Sequence, residues 1–154
     1  MKDEKKIRNL EFQQRALSTP LKILLVDDDP LLRSSVSGLL ESEGHTIVEA
    51  SNTEEALNKI ESDHFFDLIV SDYNMPPGKN GSGIYFHLKE KGLRIPFILI
   101  SGNYLGIPEE EFNKMEELYA FLDKPYGITI LVSYIQDIQM EKAEKSGFFC
   151  GDKR

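Results

Sequence analysis

The sequence predicts an α/β fold: a doubly wound, five-stranded parallel sheet with helices on both faces. Three observations lead there. Five short apolar runs alternate strictly with five amphipathic stretches between residues 20 and 145. Such alternation is met by right-handed crossovers that lay helices over a parallel sheet. Acidic and polar residues gather just after the runs, where sheets of this kind place their ligands. No repeat or low-complexity tract competes with this pattern.

Taken in order, residues 22–26 (KILLV) form an apolar run closed by acids and suit a buried strand. Residues 30–43 carry Leu31, Leu32, Val36, Leu39 and Leu40 at helical spacing, with Pro30 in the first turn, Asp29 as N-cap and Gly44 as the stop. A second strand covers 46–50, and Asn52 or Thr53 caps the helix holding Ala56, Leu57 and Ile60. The third strand, 67–71, runs into Asp72. A loop with Pro76, Pro77, Gly78 and Gly81 leads to a helix over about 83–91. Residues 96–100 are wholly apolar and predict a central strand. Helix is expected over 109–117, a short fifth strand over 119–122, and a long last helix from 127 to about 145. That last helix turns Ile128, Leu131, Tyr134, Ile135 and Ile138 inward.

A chain of 154 residues suits one domain, here 20–140, with an extension over 1–19 and a helix end and flexible tail over 141–154. At that length roughly 70% of the unfolded surface can be buried, enough for a core without staples. Cys150 is the only cysteine, which excludes an internal disulfide or a cysteine metal cluster. The first residues lack the apolar stretch of a signal peptide, and no apolar run approaches the roughly 18 residues of a membrane span. A cytoplasmic protein without membrane contact is expected. Residues 20–140 hold nine basic and twenty acidic residues, a net of −11. That charge repels a nucleic-acid backbone, so no direct nucleic-acid binding is expected of the domain. In the extension, Ile7, Leu10, Ala16 and Leu17 fall loosely on one helical face, which fits a packing helix, a partner-binding arm or a frayed end. His45, His64 and His87 show no ligand spacing, and Cys150 lies in a terminal GFFCG stretch.

The chemistry lies at the carboxyl end of each strand: Asp27-Asp28-Asp29, then Asp72, then Ser101, then Asp123-Lys124-Pro125. The predicted topology converges them on one sheet edge. Carboxylates so placed repel one another, and a divalent cation removes that repulsion; hard oxygen ligands favour Mg²⁺. A metal beside a carboxylate can hold a phosphate oxygen while an aspartate attacks the phosphorus. Lys124 offers a charge and Ser101 a donor to the remaining phosphate oxygens.

The stretches ILLVDDDPLLR, DLIVSDYNMPPG with GSGIYFHLK, PFILISG and AFLDKPY resemble the response-regulator receiver domain of two-component signalling over about residues 21–140. The likeness is to the stand-alone, chemotaxis-regulator type. It implies the flavodoxin-like strand order 2-1-3-4-5. It also implies that Asp72 is the phosphoacceptor and that Asp27 and Asp28 form the acidic pocket, with Asp28, Asp72 and the Asn74 backbone carbonyl on Mg²⁺ and Asp27 in support. Lys124 and Ser101 complete the phosphoryl site, Ser101 and Phe121 form the switch, and Asn74 and Asn103 tune phosphate lifetime. Pro125 is expected after a cis peptide bond. For Phe121, a plain core aromatic is the competing reading. The implied partners are a sensor histidine kinase or phosphotransfer protein and a downstream protein target, and a phosphorylation-dependent homodimer stays open. Measured to Gly83, the loop after Asp72 is about three residues longer than is usual for the family.

Three rivals share parts of this pattern. A haloacid-dehalogenase-type phosphatase uses a strand-end aspartate, a hydroxyl and a lysine, but needs a further acidic pair where the core past Lys124 offers only Asp137. A flavin-binding domain wants a hydroxyl- and amide-rich phosphate loop where this chain has three aspartates. A degenerate receiver would lack Asp72 or Lys124, and both are present.

Overall fold

The computed structural model describes residues 1–63, 65–102 and 106–147. They fall into two compact units: Leu21–Tyr126, and Met1–Pro20 together with the chain from Gly127 onward. In the first unit, β1 (Lys22–Val26), β2 (Thr46–Ala50), β3 (Leu68–Asp72), β4 (Phe97–Ser101) and β5 (Ala120–Asp123) form one all-parallel sheet ordered β2-β1-β3-β4-β5. This is the predicted order.

Side chains alternate across the strands. Leu24, Val26, Ile69, Phe97 and Leu99 pack on one face with Ala56 and Ile60 of α3 (Thr53–Ser62) and Ile84, Tyr85 and Leu88 of α4 (Ser82–Lys91). Ile23, Leu25, Leu68, Val70, Ile98 and Ile100 are buried on the other face, and α2 (Pro30–Ser42) packs on β1 and β2 outside the first cluster. Burial on both faces is why these strands read as unbroken apolar runs. The apolar run 96–100 is expected in the central strand, but β3 holds the middle, and β4 is the interior strand next to the β5 edge.

The last three strands each run one residue beyond their expected ends. Asp72 pairs with Ile100 and Ser101 with Asp123, so these polar residues stay on the backbone ladder instead of starting loops. Asp29 caps α2 as expected, accepting from Leu31 N at 3.0 Å and Leu32 N at 3.2 Å. Asn52, not Thr53, caps α3 through Glu55 N at 2.8 Å. The Thr53 hydroxyl instead reaches Lys79 O at 2.9 Å and Asn80 O at 3.1 Å in the loop after β3. The helix expected over 109–117 is shorter: α5 is Glu109–Lys114. Buried Met115 leaves the helical backbone, and Glu117 is drawn away by Tyr85 Oη (3.0 Å from its N–H) and Lys89 (2.7 Å).

In the second unit, α1 (Lys2–Leu17) packs Phe12 and Ala16 on Met140 and Ala143 of α6 (Ile128–Lys145). Gln139 Nε2 donates to Leu17 O at 3.1 Å and Thr19 O at 2.8 Å, satisfying carbonyls at the end of α1. The extension is therefore a packed helix, but its packing face is not the expected one. Ala16 is buried, while Ile7, Leu10 and Leu17 are exposed. Phe12 and Ala16, four apart, fit the small and flexible side chains of α6, a match that spacing within α1 alone does not reveal. Leu131, Ile135 and Ile138 of α6 are buried as expected; Ile128 and Tyr134 are only partly so. Among the described residues, no helix is long and apolar enough to cross a membrane.

Candidate functional site

β1 and β3 are neighbours in register, Val26 beside Ser71, so the next residues along each strand, Asp27 and Asp72, emerge side by side. The Asp27 N–H donates to Ala50 O at 3.1 Å and so continues the ladder, while its Oδ1 accepts from Asp29 N at 2.9 Å. Arg33, one turn into α2, donates from Nη1 to Asp27 O at 2.5 Å. These bonds fix the acidic turn. Asp27 and Asp72 are 8% and 6% exposed, and Asp28 faces solvent. Carboxylate oxygens of Asp27, Asp28 and Asp72 all lie within 4.8 Å of one another.

Lys124 enters from the end of β5, held where its N–H donates to Ser101 O at 2.8 Å. Its Nζ sits 3.1 Å from Asp72 Oδ2 and 3.8 Å from Asp27 Oδ2. Burial pushes the Asp72 carboxyl above the usual carboxylate range, opposed by the hydrogen bond and charge of Lys124. Burial likewise raises Asp27, opposed by the Asp29 N–H and then by Lys124. Two unit charges at that spacing repel by roughly 3–4 kcal/mol at an effective dielectric of about 20. One ammonium facing three carboxylates leaves a net negative pocket of hard oxygen donors, and that donor set fits Mg²⁺.

Ser101 is fully buried at the end of β4. Pairing of Leu99 with Phe121 and Ser101 with Asp123 puts Ser101 and Phe121 on the same face of the sheet, one strand apart. Phe121 is half-buried, edge-to-face with Phe112 of α5 at 5.5 Å and packed against the core cluster. Asn74 is exposed in the loop after β3. Asn103, His64 and Cys150 lie outside the described residues. The peptide bond before Pro125 is cis, as expected, and so is that between Pro76 and Pro77.

Several residues at this edge were not anticipated. Gly81, not Gly83, closes the loop: its N–H donates to Tyr73 O at 2.8 Å, and its Cα lies against the Asp72 carbonyl. The Asp72-to-Gly81 spacing was the available signal. Tyr126 sits two residues past Lys124, its hydroxyl pKa raised by burial and by the charges of Asp27 and Asp72. Tyr73, directly after Asp72, donates from Oη to Glu111 Oε2 at 3.0 Å and accepts from Asn80 Nδ2 at 3.2 Å. The Ser82 hydroxyl donates to the other Glu111 oxygen.

Comparison with known proteins gives a consistent result. Residues 23–136 match the family model of the response regulator receiver domain. The gliding motility regulatory protein of Myxococcus xanthus is 37% identical over 93 residues, covering 59% of this chain and 12% of that protein. The sensor histidine kinase RcsC of Escherichia coli is 29% identical over 127 residues, covering 82% and 13%. The chain thus spans about an eighth of the length of these two relatives. Among solved structures, the chemotaxis response regulator CheY4 of Vibrio cholerae superposes with a TM-score of 0.67 at 26% identity, covering 78% of this chain and 99% of that one. The response regulator TrrA of Thermotoga maritima, solved in complex with Mg²⁺-BeF, gives 0.67 at 26% identity, covering 77% and 98%.

Proposed function

The chain belongs to the response regulator receiver domain family, and on that premise we propose that Asp72 accepts a phosphoryl group in a Mg²⁺-dependent transfer that switches a protein-binding surface. One observation carries this reading: three strand-end carboxylates within 4.8 Å of one another, with Lys124 Nζ 3.1 Å from Asp72. An isolated turn aspartate has no reason to be buried in such company. The solved relative in complex with Mg²⁺-BeF supports a metal in the same kind of pocket. Asp28, Asp72 and the Asn74 carbonyl would hold it, with Asp27 in support.

When bound, the metal neutralises the carboxylates and draws charge from the phosphoryl oxygens. An Asp72 oxygen attacks phosphorus as the donor's bond to phosphorus breaks, and the bonding electron pair leaves with the donor. With a phosphohistidine donor, the broken bond is P–N and the leaving imidazole takes a proton from solvent. Lys124 holds Asp72 ionised before attack and a phosphoryl oxygen afterwards. Ser101 donates to a second oxygen, and Phe121 turns toward the space so vacated. Attack of water on phosphorus releases inorganic phosphate and restores Asp72; Asn74 and, by the family resemblance alone, Asn103 are expected to set the rate. A sensor histidine kinase or phosphotransfer protein is the expected donor, a downstream protein the target, and the setting cytoplasmic.

Intact-mass spectrometry after incubation with Mg²⁺ and acetyl phosphate tests this. One phosphoryl group should add to the parent and none to Asp72→Asn, while Asn74 variants should differ in decay rate. Equal incorporation in the Asp72 variant would remove the proposal. Multiple turnover of a generic phosphate ester would point to a phosphatase instead.

A further inference from the structure

α1 carries two apolar faces, and among the described residues only one is covered. Phe12 and Ala16 meet α6. Ile7, Leu10 and Leu17 remain 54%, 51% and 41% exposed. At the helical repeat, the two faces lie roughly 150° apart around the axis. With Gln14, the exposed positions run 7, 10, 14, 17, the alternating three-and-four spacing of a heptad seam. The C-terminal half of α1 is held by Phe12 and Ala16 on α6 and by two hydrogen bonds from Gln139 to Leu17 O and Thr19 O.

We propose that this second face is the seam of a parallel, two-stranded coiled coil formed between α1 helices of two copies of the chain. The side chains select that occupant. β-branched Ile7 at an a position, with Leu10 and Leu17 at d, favours two parallel strands, and polar Gln14 at the next a meets its own copy and fixes register. The flanks agree. Lys6 falls at g and Glu11 at the following e, the pair that faces across a parallel seam and does so twice by symmetry. An antiparallel seam would set Glu4 and Glu11, both at e, against each other. Neither Lys6 nor Glu11 is engaged in an ion pair among the described residues. Two heptads are short for a free peptide, but α1 is already helical and docked on α6, so association need not bear the cost of helix nucleation. This contact uses no residue of the acidic site and does not depend on phosphorylation.

Sedimentation equilibrium of the full chain, run as a concentration series into the millimolar range without phosphodonor, should show reversible dimerisation. Ile7→Glu should abolish it, with circular dichroism confirming that this exposed change leaves the fold intact. Lys6→Glu and Glu11→Lys should each weaken it roughly tenfold by turning two favourable pairs into two like-charge contacts. The double variant Lys6→Glu/Glu11→Lys, or an equimolar mixture of the two single variants, should restore it. A monomer at every concentration would overturn the proposal and leave the face to another partner. So would a dimer indifferent to Ile7→Glu, or charge reversals that the double variant fails to rescue.

Discussion

Replacing Gly81 by alanine tests how the loop after β3 holds the acceptor. The backbone there has φ −60 and ψ −24, which any residue adopts, so glycine is needed for space and not for conformation. An added Cβ would fall 2.0 Å from Asp72 O, 2.7 Å from Ser71 Oγ and 3.0 Å from Asp72 C. Relief requires the two backbone segments to separate by roughly 1 Å or more, since non-bonded carbon contacts settle near 3.5 Å. Overpacking of this kind costs about 1–3 kcal/mol, and the strained Gly81 N–H to Tyr73 O bond about 1 more. For a chain of this size that is a fall in Tm of about 5–15 °C. Displacing Asp72 by about 1 Å should also slow phosphoryl transfer by about 100-fold. Gly83→Ala is the control: its Cβ would meet only Thr53 Cγ2 at 3.5 Å, an ordinary contact. In the first turn of α4 it should be neutral or stabilising by about 0.5 kcal/mol. Thermal unfolding and the rate of mass gain with acetyl phosphate read both effects. A Gly81→Ala protein that melts and phosphorylates like the parent would refute the reasoning.

Two further outcomes are expected. Ser101→Ala should still accept phosphate on Asp72 but lose most of the resulting NMR shift through residues 106–126, Phe121 included; a full shift with a stable phosphate mimic would show that the hydroxyl is not the trigger. His45 is buried with Nδ1 accepting from Leu21 N at 3.0 Å, and burial lowers its pKa despite Glu43 and Asp67 nearby. The folded state therefore resists protonation that the unfolded chain accepts, so its contribution is full above about pH 6.5 and is lost as pH falls from there through the lowered folded value. Denaturant titrations at stepped pH should show a loss of up to about 1.4 kcal/mol per unit in that window beyond that of His45→Gln; identical slopes would discount it.

The sheet and its acidic edge were legible because their signals are local. A strand buried on both faces writes itself as KILLV or FILIS, and a site at strand ends is read from the residues just past each run. What escaped depends on partners distant in sequence. Gly83 and Gly81 look equally suited to closing the loop until the Asp72 carbonyl is placed against one of them. Phe12 gains its role only from Ala143 and Met140, which lie over a hundred residues away. Glu117 fits a helical pattern, and leaves it because Tyr85 and Lys89 compete for it. Nothing near Glu111 in sequence announces Tyr73 or Ser82 as its partners.

That last carboxylate gives α5 an unusual mounting. Six residues cannot sustain a helix alone, and α5 has no buried side chain. Among the described residues two pins tie it down: the half-buried ring of Phe112, set against Phe121, and Glu111, moored to Tyr73 and Ser82. One pin belongs to the residue directly after Asp72 and the other to the aromatic of β5. A shift of Tyr73 or of Phe121 therefore acts on α5 through a direct contact.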